Sequence, residues 1–383
     1  MSASAIRCCP IVLLALFAWG TLAVPTVHAQ PSDVPLTAER RPAEVGMAPA
    51  FFRVDEEGNT LEQWSSHLWI SAPIGRRTQV WAQSRVAGAS ATNRRSFDGW
   101  GDTQVGATAA WTVAQGSLVG SLRINLPSGR QNLRADQLDT SVLLGQPAFG
   151  ADVASLGQGW NVTPGLTWAV PVGDRLMLGI GGSFRYLGGY APLEGASEMY
   201  TPGNEVLLNA GLDVRLEPET AVSFDVAYTR YGTDEFDGVE TVEPGNRWTL
   251  TTQVRTTLGR QADLRILGRY TGQGQSTLPP PPTSVLSAEE AQTLPESVLG
   301  RVDARVPMGT AVRLALHAEA ARYSATETTI GTDWDLDRSR RLVRIGGGPE
   351  VRLGDAIFWR PELSYTAGSF SRVTARFALY WRR

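Results

Sequence analysis

Through one segment after another, this chain makes every second side chain apolar. Segments of roughly ten to fourteen residues do so, separated alternately by very short turns and long polar loops. A strand sends successive side chains to opposite faces, so each segment has one oily face and one wet face. No amphipathic helical pattern intervenes, and the economical solution is a closed cylinder of strands in a membrane. The expected fold is therefore all-β: a transmembrane, antiparallel, up-and-down β-barrel.

The clearest strands come late. In 247–259, Trp248, Leu250, Val254 and Leu258 share a face against Thr249, Thr251, Gln253 and Arg255. In 262–273, Leu264, Ile266 and Tyr270 oppose Asp263, Arg265 and Arg269. In 342–353, Val343, Ile345, Val351 and Leu353 oppose Arg344, Glu350 and Arg352. The final segment sets Val373, Phe377, Leu379 and Trp381 against Arg372, Thr374 and Arg376. A period of two with these side chains is a strand signal.

Short connections fall at 73–75, 115–116, 172–174, 217–219, 259–261, 307–309 and 354–355. Each carries Gly, Pro or Asp, where hairpin turns need those residues. Long loops are expected near 91–100, 127–158, 189–203, 231–245, 274–295 and 325–339. About fifteen strands follow from Leu61 onward; an even number is needed if both termini lie on one side, and Met47 to Val54 supplies one more, making about sixteen, with fourteen the alternative. Trp64, Trp100, Trp111, Trp160, Trp168, Trp248, Trp359 and Trp381 fall near strand ends, where amphipathic rings meet lipid headgroups.

The expected domain organisation has three parts. Residues 1–29 read as a secretory signal, with Arg7, an apolar run from Ile11 to Trp19, and a small-residue cleavage site at Val27-His28-Ala29. Residues 30–45 read as a periplasmic segment or lumen-entering arm, and 46–383 as an outer-membrane barrel. No apolar run reaches the roughly 20 residues of a spanning helix. Both cysteines, Cys8 and Cys9, precede the apolar run, so none is left for a disulfide or thiolate site. Mean hydropathy is -0.14 and net charge -3, as expected when every second residue faces a polar lumen. The absence of a basic stripe argues against a nucleic-acid partner. The chain has no lysine. A GC-rich genome explains that; so does the fit of guanidinium forks to lumenal carboxylates and to lipopolysaccharide phosphates.

Certain residues resemble a known family. Gly101-Asp102-Thr103 precedes a strand, a turn at Gln115-Gly116, and a strand ending Asn125-Leu126-Pro127-Ser128-Gly129. Gly157-Gln158-Gly159-Trp160 and Pro164-Gly165-Leu166 follow. Over about residues 99–190 this is similar to bacterial outer-membrane barrels associated with the meta-pathway of phenol degradation, and more loosely to fatty-acid and aromatic-hydrocarbon transporters. The resemblance implies passage or uptake of small, hydrophobic or aromatic compounds. The last strand also looks like an assembly signal for the barrel-assembly machinery, though Arg382 and Arg383 follow the final aromatic.

The expected lumen face is strongly charged in the second half: Asp263, Arg265, Arg269, Arg301, Asp303, Arg305, Arg313, Glu319, Arg344, Glu350, Arg352, Arg360, Glu362 and Arg376. The first half offers neutral groups, such as Thr108, Thr112, Ser121, Asn125, Thr163 and Thr167. A charge in low dielectric must meet water or an opposite charge. The charged wall therefore either lines a wet passage or closes the barrel as a salt-bridge ladder. In loop 127–158, Leu133, Leu138, Val142, Leu143 and Leu144 predict packing or constriction rather than a solvated loop. Ser287-Ala288-Glu289-Glu290 predicts a short helix after the stiff Pro279–Pro282 run. The acidic loops, with Asp234, Glu235, Asp237, Glu240 and Glu243, then Asp333, Asp335 and Asp337, lack the glycine and distal glutamate of a calcium loop. They read as solvated, with weak divalent bridging to lipopolysaccharide as the functional version.

No catalytic set, cofactor site or metal site is expected. Beyond His28, the histidines are His67 and His317, both inward by parity, and Ser65 and Ser66 lack an orienting group. The functional expectation is an outer-membrane channel or transporter for small solutes, in contact with outer-membrane lipid and lipopolysaccharide. The alternatives are a plugged, surface-binding barrel and, less favoured, an outer-membrane hydrolase.

Overall fold

A computed structural model describes residues 42–195, 197–259, 262–278, 289–291, 294–326, 334 and 338–383. The wall runs β1 (Glu44–Glu56), β2 (Asn59–Ile74), β3 (Thr78–Ala91), β4 (Phe97–Trp100), β5 (Thr103–Val113) and β6 (Gly116–Leu126). After the helix α1 (Ala135–Gly145) come β7 (Asn161–Val172) and β8 (Leu176–Leu187). A loop strand, β9 (Tyr200–Thr201), precedes β10 (Glu205–Glu217) and β11 (Thr220–Tyr231). The loop hairpin β12 (Asp234–Phe236) and β13 (Val239–Val242) leads to β14 (Arg247–Leu258) and β15 (Ala262–Gln273). Loop strands β16 (Ser276–Leu278) and β17 (Glu289–Ala291) precede β18 (Ser297–Pro307) and β19 (Val312–Tyr323). The wall ends with β20 (Arg340–Arg352), β21 (Ile357–Gly368) and β22 (Ser371–Arg382).

β4 and β5 pair with successive parts of β3, so together they make one interrupted span. The wall is a closed antiparallel barrel of 16 strands, as the alternation predicts. Closure comes from β1, which pairs with β2 on one side and β22 on the other, setting Val45 opposite Trp381 and Met47 opposite Leu379. No wall strand is left with a free edge, which is what backbone amides in hydrocarbon require.

All the connections at one end are short, with Gly75 and Gly173 at φ 67° allowing tight reversals there. The described parts of the long predicted loops all lie at the other end. Outward side chains form a continuous apolar belt; Ile345, Leu363 and Val298 remain 57–61% exposed. A patch of that extent is what lipid covers, not water. Aromatic residues mark both borders of the belt. Trp64, Trp160, Tyr186, Tyr228 and Trp248 lie toward the loop end, and Trp111, Trp168 and Trp359 toward the turn end.

The apolar core lies inside the cylinder, at its loop end. Phe52, Val54, Leu61, Ala87 and Leu342 of the inner wall pack against Leu138, Leu143, Leu144, Phe149 and Leu156 of the long loop. α1 begins with Asp136 in its first turn and stops before Pro147, and its leucines and Val142 are buried. The predicted constriction is thus a short helix folded into the barrel mouth.

Two expectations change. Of the helix expected from Ser287 onward, Ser287 and Ala288 lie outside the described residues, while Glu289 and Glu290 are extended in β17 and pair with Leu278 and Thr277 in β16. Cross-strand hydrogen bonds satisfy that backbone, and a local capping pattern does not outweigh them. Asp234 is not solvated but buried. The signal region, Pro279–Pro282, Asp333, Asp335 and Asp337 lie outside the described residues.

Candidate functional site

Residues that carried the family resemblance meet at the base of the long loop. Asp102, between β4 and β5, accepts hydrogen bonds from Asn125 Nδ2 (2.7 Å), the Gly129 N–H (2.9 Å) and the Gln158 N–H (2.7 Å). Asn125 also donates to the Gly159 carbonyl at 2.7 Å. One carboxylate therefore ties together the start and end of the loop. Gly129 is required there, because a Cβ would overlap the Leu156 carbonyl oxygen.

From this clip the loop turns inward and docks on the neighbouring strands β2 and β3 and, beyond β1, on β22. Gln63 Nε2 donates to the Val153 carbonyl (2.6 Å), and its Oε1 accepts from the Val153 N–H (3.1 Å). Arg85 donates to the Asp152 carbonyl at 3.0 Å. Arg376 pairs with Asp152 at 2.5 Å, and Arg372 donates to the Phe149 carbonyl. Arg340 lies 4.8 Å from the Phe149 ring centroid, which also meets Trp334 and Phe370 at 5.2 Å.

A cavity of about 100 Å³ remains between Pro147, Ala148 and Gly150 of the loop and Arg344, Arg372 and Arg376 of the wall. Glu319, Tyr323 and Thr366 complete its polar side. The register explains the grouping, since Arg301, Glu319, Arg344, Thr366 and Arg372 face one another in sequence across β18 to β22. Within this row Glu319 is shared, at 3.5 Å from Arg301 and 4.0 Å from Arg344. Arg344 Nε, Arg372 Nε and Thr366 Oγ1 are buried without a protein hydrogen-bond partner. The cavity thus holds more guanidinium than carboxylate. A larger groove, about 460 Å³, opens at the loop end beside Tyr228, Arg230 and Trp248, two of them outward-facing aromatics, and lies away from the inner wall.

All fourteen predicted lining residues alternate with the exposed apolar belt and face inward, but they do not form one cluster. Arg344, Glu319 and Arg376 border the cavity. Below them, Arg301 pairs with Asp303 at 2.7 Å and Arg360 with Glu362 at 3.5 Å, while His317 Nδ1 lies 3.9 Å from Glu362. Arg265 lies opposite Asp303, and Asp263 opposite Arg305. Arg313 faces Glu350, and Arg352 reaches Asp355 at the turn end (3.6 Å). Arg269 stands on β15 opposite Leu299. The first half is less neutral than expected, because Arg85, Arg123 and Arg185 also face inward. Arg123 lies 5.8 Å from the Trp81 ring centroid, and Arg185 pairs with Glu205 at 3.4 Å.

The sequence reading passed over Arg372 and Arg340 as site residues, although they share the parity of Arg376 and Arg344. Asp102 and Asp152 carried no such signal, because the segments that hold them have no period.

Among the external loops, Tyr200 Oη donates to Asp234 Oδ2 and the Gly203 N–H to Oδ1, both at 2.7 Å. Burial pushes the Asp234 carboxyl up to about 6 despite these donors. Tyr200 is likewise raised, by burial and by the neighbouring Asp234.

His67 Nε2 meets Gln83 at 3.1 Å, and Ser66 faces the opposite side of the wall. No cluster of three or more His, Cys, Asp or Glu is placed to hold a metal ion among the described residues.

No protein-family model matches the chain, and no curated protein is significantly similar to it. Several solved structures align along most of the chain at low similarity. An outer membrane channel from Pseudomonas putida aligns with 11% identity and a TM-score of 0.42, covering 91% of this chain and 98% of that one. The CymD monoaromatic hydrocarbon channel gives 10% and 0.45, covering 94% and 92%. An anion-selective porin from Comamonas acidovorans gives 12% and 0.40, covering 89% and 98%. With so little identity, the function has to be read from the inner wall and the inserted loop of this barrel.

Proposed function

We propose that this chain is an outer-membrane channel for passive passage of small solutes, in which the gap beneath the inserted loop favours anions. The supporting observation is the cavity of about 100 Å³ between Gly150 and the Arg344–Arg372–Arg376 wall. At an effective dielectric near 20, two unit charges about 5 Å apart interact by roughly 3 kcal/mol. That is enough to choose the sign of a passing ion and weak enough to release it.

Farther along, Phe358 and Tyr380 stack at 5.2 Å with Arg382 5.2 Å from the Tyr380 ring, and Trp69 donates to Glu44 at 2.7 Å. Inward aromatic faces beside guanidinium groups suit anions that carry a ring, in keeping with the aromatic solutes the resemblance implies. The outward aromatic ends of β22 fit recognition by the barrel-assembly machinery. Placement in the outer membrane puts the long loops on the lipopolysaccharide side.

Conductance in planar bilayers tests this reading. The expected results are a small unit conductance, a reversal potential of anion-selective sign in a salt gradient, and a larger conductance after deletion of residues 133–150. A second reading, a plugged barrel serving surface binding, draws on the complete burial of Leu143 and Phe149 inside the mouth. A protein that stays closed with and without 133–150 supports that second reading instead.

A further inference from the structure

Two arginines on the outward side of the loop-end rim are set against each other with no carboxylate paired to either among the described residues. Arg322 of β19 and Arg341 of β20 are direct cross-strand partners. Arg322 is also opposite Val298, and one register step toward the turn end Ala320 faces Val343, so the pair stands on the outward face just above the apolar belt. Both side chains are exposed, and neither makes an ion pair with a carboxylate among the described residues. Ser369, beside Arg341 on the next connection, contributes only hydrogen bonds with the Arg341 backbone.

Like charges directly opposite each other on one sheet face destabilise the pairing. Another outward arginine of the same rim shows the usual remedy. Arg53 is held by Asp55 at 2.9 Å and Glu62 at 3.1 Å. Among the described residues the Arg322–Arg341 pair has no such remedy, and on the outer-membrane reading it stands where outer-leaflet headgroups lie.

We infer that Arg322 and Arg341 form a seat for a phosphate of lipopolysaccharide in the outer leaflet. Two planar guanidinium groups on adjacent strands can each present a fork of N–H donors to one phosphate, which relieves their repulsion. The acyl chains of the same lipid would lie along Val298, Val343 and Ile345, the exposed apolar side chains below. The inference rests on the outer-membrane reading and goes beyond it, since a channel in that membrane does not need a lipid seat.

The test uses the full-length barrel in detergent micelles, with lipopolysaccharide binding followed by thermal stabilisation and by co-migration on native gels. Phosphorylated lipopolysaccharide should raise the unfolding temperature. Enzymatically dephosphorylated lipopolysaccharide and phosphatidylglycerol should do so at least tenfold less effectively. Arg322→Gln with Arg341→Gln should weaken the response at least tenfold, whereas Arg53→Gln should leave it unchanged. Equal binding by the double variant overturns the inference, as does equal stabilisation by phosphatidylglycerol, which would indicate a general anionic-lipid surface. Planar-bilayer conductance of the same preparation separates the two levels: a conducting barrel that ignores lipopolysaccharide loses only the lipid seat, and a protein that never inserts into bilayers loses the outer-membrane reading as well.

Discussion

Arg376 Nη2 of the last strand lies 2.5 Å from Asp152 Oδ1 of the long loop, so a residue near the end of the chain anchors a segment more than two hundred positions earlier. The contact joins the two borders of the mouth. It also neutralises one of three guanidinium groups around the cavity, leaving Arg344 and Arg372 against Glu319, which is shared with Arg301, to set its charge.

Asp152→Asn should therefore increase anion preference, and Arg376→Gln should reduce it. Both sides of the pair are partly exposed, so each change should cost the fold about 1 kcal/mol or less. Reversal potentials in a tenfold salt gradient check the sign. Arg344→Gln with Arg372→Gln should move the reversal potential furthest toward zero, because those two groups face the gap without a dedicated carboxylate.

The hold on the inserted loop is mostly apolar. Leu143→Ala or Leu144→Ala empties a fully buried site, at about 2–5 kcal/mol each. The loss should fall on loop docking and spare the barrel wall. Limited proteolysis should cut within 133–156 while the β-sheet circular dichroism signal persists, and open-channel current should rise.

Asp102 gathers both ends of the same loop. Asp102→Ala removes the acceptor for three donors and should cost on the order of 3 kcal/mol of loop anchoring. Gly129→Ala should have a similar effect through overlap with the Leu156 carbonyl. Hydrogen exchange of the Gly129 and Gln158 amides reads both changes directly.

The external loops carry a pH dependence. The Asp234 carboxyl titrates near 6 in the fold and near 3.8 when unfolded, so the folded loop binds the proton more tightly. Its contribution, roughly 3 kcal/mol, is complete below about pH 4 and is lost as pH rises through 6. Loop protease resistance should fall between pH 4 and 7. Asp234→Asn, which stays uncharged, should flatten that profile. Tyr200→Phe should move the midpoint upward by removing a donor to the ionised form.

Much of the wall was legible because its signal is local. Val343, Arg344 and Ile345 already declare which way each points, since a one-residue slip would put arginine in lipid and valine in the lumen. The even-numbered closure also followed, from both termini lying on one side; that Val45 already belongs to the first strand, opposite Trp381, came only with the register. The Ser287 helix failed for the opposite reason, since a four-residue capping pattern says nothing about a partner strand such as Ser276–Leu278.

The one-dimensional chain determined the cylinder, its oily exterior, its charged interior and the ends at which loops and turns lie, because all of these depend on a two-residue period and on the hydrogen bonds hydrocarbon demands. Only the tertiary structure decided where the long loop rests. Its docking depends on Asp102, Gln63, Arg372 and Arg376, side chains far apart in the chain that meet only once the cylinder has closed. The width and charge of the mouth follow from that meeting, and no periodicity encodes it.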